Sequence, residues 1–328
     1  MVERRAPFRR QWLAAGALLL AACQGPDHFL IHPRAPAEAV VTWAEVETRG
    51  DLRMRSEWAR PAGPGPFPAV LVHPEAGGST ADMRGVLHDL AAAGYLAAAA
   101  DYRQRIDGRF RRNLFVWRSE DDVTLALERL ERHASVDRGR IGLLGFSQGG
   151  VLSLVLAAHA PGRVRAVVAY YPVTDFDAWL SRDRPNPLRR MVFRVIRWHF
   201  KRESGAQTEA EFVAMLARAS PLPQVEGIRA PVLLIHGARD GSAEALESER
   251  LAARLRALDR TVALEIVPGA GHVFNFKDPQ AAQAAWRSTL AWLARYLAAS
   301  PAGRVDAPEA DQAASQARAA TSTSETSP

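Results

Sequence analysis

Residues 140–150 read Arg-Ile-Gly-Leu-Leu-Gly-Phe-Ser-Gln-Gly-Gly, and this stretch decides the fold. Its apolar run at 141–144 predicts a buried strand, and residues 148–158 show a helical pattern. A strand that passes directly into a helix needs small residues around the turn, because Cβ atoms at 145 and 149 would crowd the neighbouring strand and helix. The turn would hold Ser147 strained and exposed at the helix N-terminus, where the helix dipole favours developing negative charge. Ser147 is therefore the candidate nucleophile.

The chain on both sides of this stretch alternates short apolar runs with helical patterns. Continuous apolar runs suit strands that are buried on both faces, so we expect a mostly parallel central sheet with helices on both faces. Ahead of it, residues 42–48 and 52–58 alternate in polarity and predict an antiparallel hairpin. The other predicted strands are 69–72, 95–100, 141–144, 164–170, 232–235 and 261–267, and the predicted helices are 82–93, 120–132, 148–158, 243–258 and 279–297. The fold class is α/β.

A serine nucleophile needs a general base, and the base needs an orienting acid. Asp240 follows the strand at 232–235 through His-Gly-Ala-Arg, which would place its carboxylate at the carboxyl edge of the sheet. His272 follows the strand at 261–267 in a loop that reads Pro-Gly-Ala-Gly-His. The alternatives are a solvated turn aspartate and a structural loop histidine. The chain order of serine, acid and histidine predicts Asp240 as the acid and His272 as the base.

These three positions and their strands resemble the α/β-hydrolase fold, and more narrowly its dienelactone hydrolase-like and prolyl oligopeptidase-like branches. The supporting segments are Ala-Ser-Pro at 219–221, Pro-Val-Leu-Leu-Ile-His-Gly at 231–237, and Pro-Gly-Ala-Gly-His-Val-Phe at 268–274. The resemblance covers residues 42–298. It implies a carboxylic-ester hydrolase that works through an acyl-enzyme intermediate. A peptidase or acyl-aminoacyl hydrolase of the prolyl oligopeptidase type, and a catalytically silent lipid-anchored binding protein, are the alternatives.

An acyl-transfer site also needs two backbone N–H donors for the oxyanion. Gln148 supplies one by its position after the nucleophile. The second should come from the loop after the strand at 69–72, where Pro74 has no N–H to give, so Glu75 or Ala76 is the donor and we favour Ala76. Glu75 resembles the loop glutamate of the dienelactone hydrolases, whose site has a cysteine nucleophile. This chain has Ser147 in that place, which argues against dienelactone as the substrate.

Residues 173–230 interrupt the alternation, and we interpret them as a lid or cap over the carboxyl ends of the strands, where ligands bind. Residues 182–202 within them carry eight arginines or lysines against one aspartate, interleaved with large apolar side chains. Such a helix is either a lid with solvated arginines or a basic amphipathic surface for an anionic membrane. A second basic stretch should emerge at the same edge and would attract anionic substrates. Its members are Arg103, Arg105, Arg109, Arg111 and Arg112.

The remaining patterns argue against other classes of site. His73, His133, His159 and His199 lack the spacing of metal ligands, and we expect them to be structural or at the surface. No glycine-rich nucleotide loop follows a strand. The net charge of +6 comes without a basic nucleic-acid-binding motif. We therefore expect no cofactor, no metal and no nucleic-acid partner, and a small-molecule ester or acyl substrate.

The beginning of the chain has the pattern of an export signal. Four arginines precede an apolar stretch at 12–22, which is shorter than the roughly 20 residues that span a bilayer. The stretch ends in Leu-Ala-Ala-Cys at 20–23, which resembles the lipobox of bacterial lipoproteins, and Cys23 is the only cysteine. An ordinary secretory cleavage after Ala22 is the alternative. We expect lipidation of Cys23 and a location in the bacterial cell envelope, anchored at the periplasmic face of the inner or outer membrane.

These observations predict one catalytic domain with appendages. Residues 1–22 form the signal peptide, residues 23–40 a linker, and residues 41–300 the catalytic domain. Residues 301–328 have hardly any large apolar side chains, so burial cannot offset the entropy of ordering them. We expect this tail to be disordered.

Overall fold

The structure is a computed structural model that describes residues 39–49, 52–102, 104–105 and 119–298. Several predicted features lie outside these residues. They are the signal peptide with Cys23, the linker up to residue 38, the hairpin turn at 50–51, the tail at 301–328, and the arginines at 103, 109, 111 and 112. Of Arg105, only the backbone is described.

The strands of the described residues form one sheet in the order β1-β2-β4-β3-β6-β7-β8-β9, and β5 pairs with β2. They are β1 Val40–Arg49, β2 Leu52–Pro61, β3 Phe67–His73, β4 Leu96–Ala100, β5 Gln104–Arg105, β6 Val136–Phe146, β7 Ala166–Tyr170, β8 Val232–Gly237 and β9 Val262–Val267. β1 and β2 form the predicted antiparallel hairpin, and every neighbouring pair from β4 to β9 is parallel. The prediction of a mostly parallel α/β sheet is confirmed.

Helices cover both faces of this sheet. They are α1 Arg84–Ala92, α2 Glu120–Arg132, α3 Gln148–His159, α4 Phe176–Ser181, α5 Pro187–Ser204, α6 Glu209–Arg218, α7 Leu246–Ala257 and α8 Pro279–Leu297. Successive side chains of β3 enter different apolar cores: Leu71 packs with α2, α3 and α7, whereas Val70 and Val72 pack with α1 and α8. This alternation follows from the period of two residues along a strand. It explains why the buried strands are continuously apolar.

Two helices begin at residues other than those that the sequence pattern predicts. The helix expected from residue 82 starts with a 3₁₀ turn, Thr80–Met83, in which the Asp82 carboxylate accepts the Ser79 N–H. The helix expected from residue 243 begins at Leu246, because the N–H of Ala243 is bound by the Asp240 carboxylate. At both helix starts, an acidic side chain accepts a backbone N–H that no carbonyl of the helix accepts.

The insertion after β7 contains α4, α5 and α6 and a 3₁₀ turn, Leu222–Gly227, before the chain enters β8. A hydrogen bond and ion pairs join the insertion to the loop that follows β8. Trp179 donates its indole N–H to the carbonyl of Ser242 at 2.8 Å, and Arg182 and Arg184 pair with Glu244 at 3.0 and 3.2 Å. Within the described part of the chain, no helix is both long and apolar enough to cross a membrane.

Candidate active site

Ser147 occupies the turn between β6 and α3 in a strained backbone conformation. Its φ is 51° and its ψ is −114°, in a region that residues with a side chain rarely adopt. The surrounding structure maintains this conformation, because the Ser147 N–H donates to the carbonyl of Tyr170 at 2.9 Å. The backbone strain therefore lies at the residue that the sequence predicts to be the nucleophile.

The flanking glycines have a steric reason. A Cβ on Gly149 would lie 2.1 Å from the carbonyl oxygen of His73, and a Cβ on Gly145 would lie 2.1 Å from the carbonyl oxygen of Gly149. These obstacles are backbone atoms, which cannot rotate away as a side chain can. The helix, the turn and β3 approach closely enough to present Ser147 only because both positions lack a side chain.

The structure brings Ser147, His272 and Asp240 together, although they are far apart in sequence. Ser147 Oγ lies 3.1 Å from His272 Nε2, and His272 Nδ1 lies 2.6 Å from Asp240 Oδ2. The imidazole also packs edge-on against the ring of Tyr171, with the ring centres 4.7 Å apart. The side chain of Asp240 is fully buried, whereas that of His272 is 13% exposed. The imidazole thus connects a buried carboxylate to a partly open serine.

The carboxylate of Asp240 is held from both sides. Its Oδ1 accepts the N–H groups of Ser242 and Ala243 at 2.8 and 2.9 Å, which leaves Oδ2 for His272. Burial acts to raise the pKa of Asp240, but hydrogen bonds from His236 and His272 outweigh it and lower the pKa to about 2. Asp240 is therefore ionised at neutral pH and has one oxygen fixed toward the imidazole.

A second histidine, His236, lies on the other side of Asp240 and was missed by the sequence reasoning. Its Nε2 is 2.7 Å from the carbonyl of Ala243 and 3.4 Å from Asp240 Oδ2, and its Nδ1 is 2.8 Å from Ser248 Oγ. A carbonyl only accepts, so Nε2 carries the proton and Nδ1 accepts the serine hydroxyl. His236 therefore stabilises the loop after β8, which carries Asp240. No local pattern predicts this contact, because the chain between His236 and Asp240 leaves β8 and forms a turn.

Glu75 and Ala76 lie in the loop after β3. The Glu75 side chain is buried, and its Oε2 has no hydrogen-bond partner within the described part of the chain. Burial raises the pKa of Glu75 to about 7, and the nearby charge of Asp82 acts in the same direction. Ala76 is partly exposed. Gln148 begins α3, so its N–H lies in the first turn, where helix N–H groups point out of the helix end.

Three of the histidines that we expected to be structural or at the surface contact other protein groups. His73 is buried at the end of β3, with Nδ1 2.7 Å from Ser153 Oγ of α3, and burial lowers its pKa to about 3. The His133 ring stacks on Trp58, with the centres 5.5 Å apart. His159 lies near Glu120, with 3.3 Å between Nδ1 and Oε1. His73 thus contacts the helix whose N-terminus follows Ser147.

The family of the chain follows from a comparison with known proteins. A model of the dienelactone hydrolase family matches residues 54–297, a range that includes Ser147, Asp240 and His272. The chain belongs to this family. The resemblance inferred from residues 42–298 is therefore confirmed, and so is the predicted class of hydrolase that acts on ester bonds.

Individual relatives of this member of the dienelactone hydrolase family include a Bradyrhizobium protein that is 29% identical. That protein is assigned as a 2-oxo-3-(5-oxofuran-2-ylidene)propanoate lactonase. The match covers 78% of this chain and 94% of the relative. A Bacillus subtilis protein named as an uncharacterised peptidase is 28% identical, over 70% of this chain and 84% of the relative. A solved structure assigned as a dienelactone hydrolase, from Klebsiella pneumoniae, covers 79% of this chain and all of its own, with a TM-score of 0.57 and 23% identity. That structure supports the fold.

Proposed function

We propose that the protein is a serine hydrolase that cleaves small carboxylic esters or lactones through a covalent acyl-enzyme intermediate. The hydrogen-bonded series Ser147, His272 and Asp240 carries this proposal, because it supplies a nucleophile, a base and an orienting acid in contact with one another. Membership of the dienelactone hydrolase family supports the ester as the reacting group. A catalytically silent binding protein would have no need for the strained serine or for the ionised, buried acid.

The proposed reaction has two acyl-transfer steps. Ser147 Oγ attacks the carbonyl carbon while its proton moves to His272 Nε2, and the tetrahedral intermediate collapses as His272 returns that proton to the leaving alcohol. Water then attacks the acyl group on Ser147, with His272 again taking the proton, and the carboxylic acid and free serine are released. Asp240 stays ionised throughout and holds His272 with the proton on Nδ1.

The oxyanion would be stabilised at the N-terminus of α3. The backbone N–H of Gln148 is one donor, and that of Ala76, or alternatively of Glu75, is the other. The positive end of the α3 dipole acts in the same direction. The buried carboxyl of Glu75 lies in the same loop as Ala76. Its raised pKa keeps a large part of this carboxyl neutral near pH 7, which limits repulsion of the oxyanion.

Two observations favour an anionic substrate. The basic stretch at 103–112 follows β4, whose carboxyl end lies at the same edge of the sheet as Ser147. The Bradyrhizobium relative is named for a lactone that carries a propanoate group. We propose that this protein also prefers lactones or esters with a carboxylate, since a basic edge raises the local concentration of anions. A peptidase is the second candidate, favoured by the name of the Bacillus subtilis relative.

A substrate panel separates these candidates. We expect turnover of nitrophenyl esters and unsaturated γ-lactones, no turnover of aminoacyl-nitroanilides, and a higher kcat/KM for carboxylate-bearing esters than for neutral esters of equal size. Salt should reduce that difference, because it screens exposed charges. Preferential cleavage of the anilides would instead establish the peptidase. Equal, salt-independent efficiency with both kinds of ester would remove the anionic preference.

We also propose that the protein is exported and anchored to a bacterial membrane through a lipid on Cys23. The positive segment, the apolar stretch and Leu-Ala-Ala-Cys support this proposal from the sequence. Metabolic labelling with a radioactive fatty acid should mark the wild-type protein in the membrane fraction, and Cys23→Ala should abolish the label. A protein that carries no fatty acid and is released with the periplasmic contents would point to ordinary secretory cleavage.

A further inference from the structure

Helix α5, in the insertion, has two apolar faces that point in different directions. Phe193 is buried, and Ile196 and Phe200 pack against the main core. The opposite side carries Leu188, Met191, Val195 and Trp198, which are 64%, 52%, 52% and 59% exposed. These four are separated by three or four residues and therefore form one row along the helix. We call this row the outer apolar row.

The outer apolar row is unusual for this protein. Seven large apolar side chains are exposed in the described part of the chain, and four of them lie in this row. Single exposed apolar residues are ordinary, but a continuous row indicates a binding surface. Because the inner face of α5 is packed, the helix can stay in place while the outer row contacts a partner.

Cations border the row. Arg194 lies between Met191 and Trp198 at helical spacing, and the Arg202 guanidinium lies 5.5 Å from the centre of the Trp198 ring. Neither arginine forms an ion pair with an acidic side chain of the described residues. The basic groups nearer the body of the protein do: Arg190 pairs with Asp183, Arg197 with Asp177, and Lys201 with Glu209. Arg194 and Arg202, which are both exposed, thus remain available to a negatively charged partner.

We propose that the outer apolar row of α5 binds the surface of an anionic phospholipid membrane. A row of Leu, Met, Val and Trp bordered by arginines matches a helix that lies in the membrane interface, with apolar side chains at the acyl boundary and guanidinium groups at the phosphates. Trp is suited to this boundary because its ring is apolar and its indole N–H is polar. An anionic membrane would contact the apolar row through its acyl chains and the arginines through its phosphates. A soluble protein partner would not require arginines without an ion-pair partner along an apolar row.

Helix α5, which bears the outer apolar row, is connected to the loop after β8 that carries Asp240. Arg189, on α5, donates to the carbonyl of Gly241, beside Asp240. Arg184 lies 3.3 Å from the centre of the Phe193 ring of α5 and pairs with Glu244 of the same loop. A membrane-bound α5 would hold the loop that carries Asp240 near the lipid surface. The role of Asp240 in this loop rests on the proposed function, but the membrane binding itself does not.

The test uses the chain from Gln24 onward, which lacks the export segment and keeps every residue that the structure describes. Its sedimentation with vesicles is compared for phosphatidylcholine alone and for an equimolar mixture with phosphatidylglycerol. We expect binding to the mixed vesicles, and we expect the double variant Val195→Glu/Trp198→Glu to weaken it at least about tenfold. Arg194→Gln and Arg202→Gln should each weaken binding to the mixed vesicles about fivefold. Leu246→Glu, at an exposed apolar position outside α5, is the matched control and should bind like wild type.

Turnover of a soluble nitrophenyl ester should be unchanged in all of these variants, which would show that the fold is intact. Mixed-vesicle binding that is equal for wild type and the Val195→Glu/Trp198→Glu variant would overturn the proposal. So would a self-associated wild type that becomes monomeric in that variant, because the row would then contact a second copy of the chain. Loss of ester turnover upon Ser147→Ala with vesicle binding retained would separate the two proposals.

Discussion

Replacing Ser147 with alanine is expected to lower kcat for ester hydrolysis about a million-fold, the magnitude found when a serine hydrolase loses its nucleophile. The proposed reaction cannot begin without Oγ, because His272 then has no hydroxyl from which to take a proton. The proposed backbone donors, Gln148 and either Ala76 or Glu75, would leave only the residual acceleration due to binding and oxyanion stabilisation. The measurement is single-turnover and steady-state hydrolysis of an activated ester.

The matched control is Ser181→Ala. Ser181 is an exposed serine at the end of α4, and its hydroxyl donates to the Asp177 side chain. This variant should keep wild-type kcat. The thermal unfolding midpoint of Ser147→Ala should be close to that of wild type, because alanine adds no atom to the turn. A Ser147→Ala variant with more than about one hundredth of wild-type kcat, well above the residual activity due to binding and the oxyanion hole, would contradict the account.

Replacing Asp240 with asparagine is expected to lower kcat about ten-thousand-fold, by changing the tautomer of His272. The N–H groups of Ser242 and Ala243 require an accepting oxygen, so the new side-chain amide would place its oxygen toward them and its NH₂ toward His272. His272 Nδ1 would then have to accept, and the proton would move to Nε2. An imidazole protonated at Nε2 cannot take the proton of Ser147.

Kinetics and stability should both report this change. Asp278→Asn is the control, because Asp278 caps α8 outside the site and asparagine caps a helix equally well.

In wild type, the lowered pKa of Asp240 contributes about 2 kcal/mol to the free energy of unfolding. That contribution is present above about pH 4 and is lost as the pH falls toward 2. Denaturant midpoints from pH 6 to pH 2 should therefore fall less steeply for Asp240→Asn, whereas equal slopes would contradict the assigned pKa.

The elements that bear the site could be predicted from the sequence because each has a local signal. Buried strands give continuous apolar runs, and the elbow gives glycines at 145 and 149, where an added Cβ would lie 2.1 Å from a backbone oxygen. Asp240 and His272 follow such strands in turn-forming sequences. Parallel strands end at a common edge, so residues that directly follow them are brought together.

The contacts across the loops could not be predicted in this way. His236 faces Asp240 only because the loop after β8 folds back to place Ala243 and Ser248 beside it, and no periodic pattern encodes that path. The burial of Glu75 depends on Gly78, where a Cβ would lie 3.0 Å from the carboxyl carbon.

The packing of the insertion could not be predicted from the sequence either. Its basic apolar pattern predicted an amphipathic helix, but the two apolar faces of α5 became distinguishable only after Phe193 was seen to be buried and Trp198 exposed.

The central claim is that Ser147 is the activated nucleophile, and a fluorophosphonate probe tests it most directly. The probe reacts with a serine only when a neighbouring base removes the hydroxyl proton. We expect stoichiometric labelling of the wild-type chain, mapped by mass spectrometry to the peptide that contains Ser147, slowed by a competing ester and absent from Ser147→Ala. An unlabelled wild-type chain, or a label that persists at another residue in Ser147→Ala, would contradict the account.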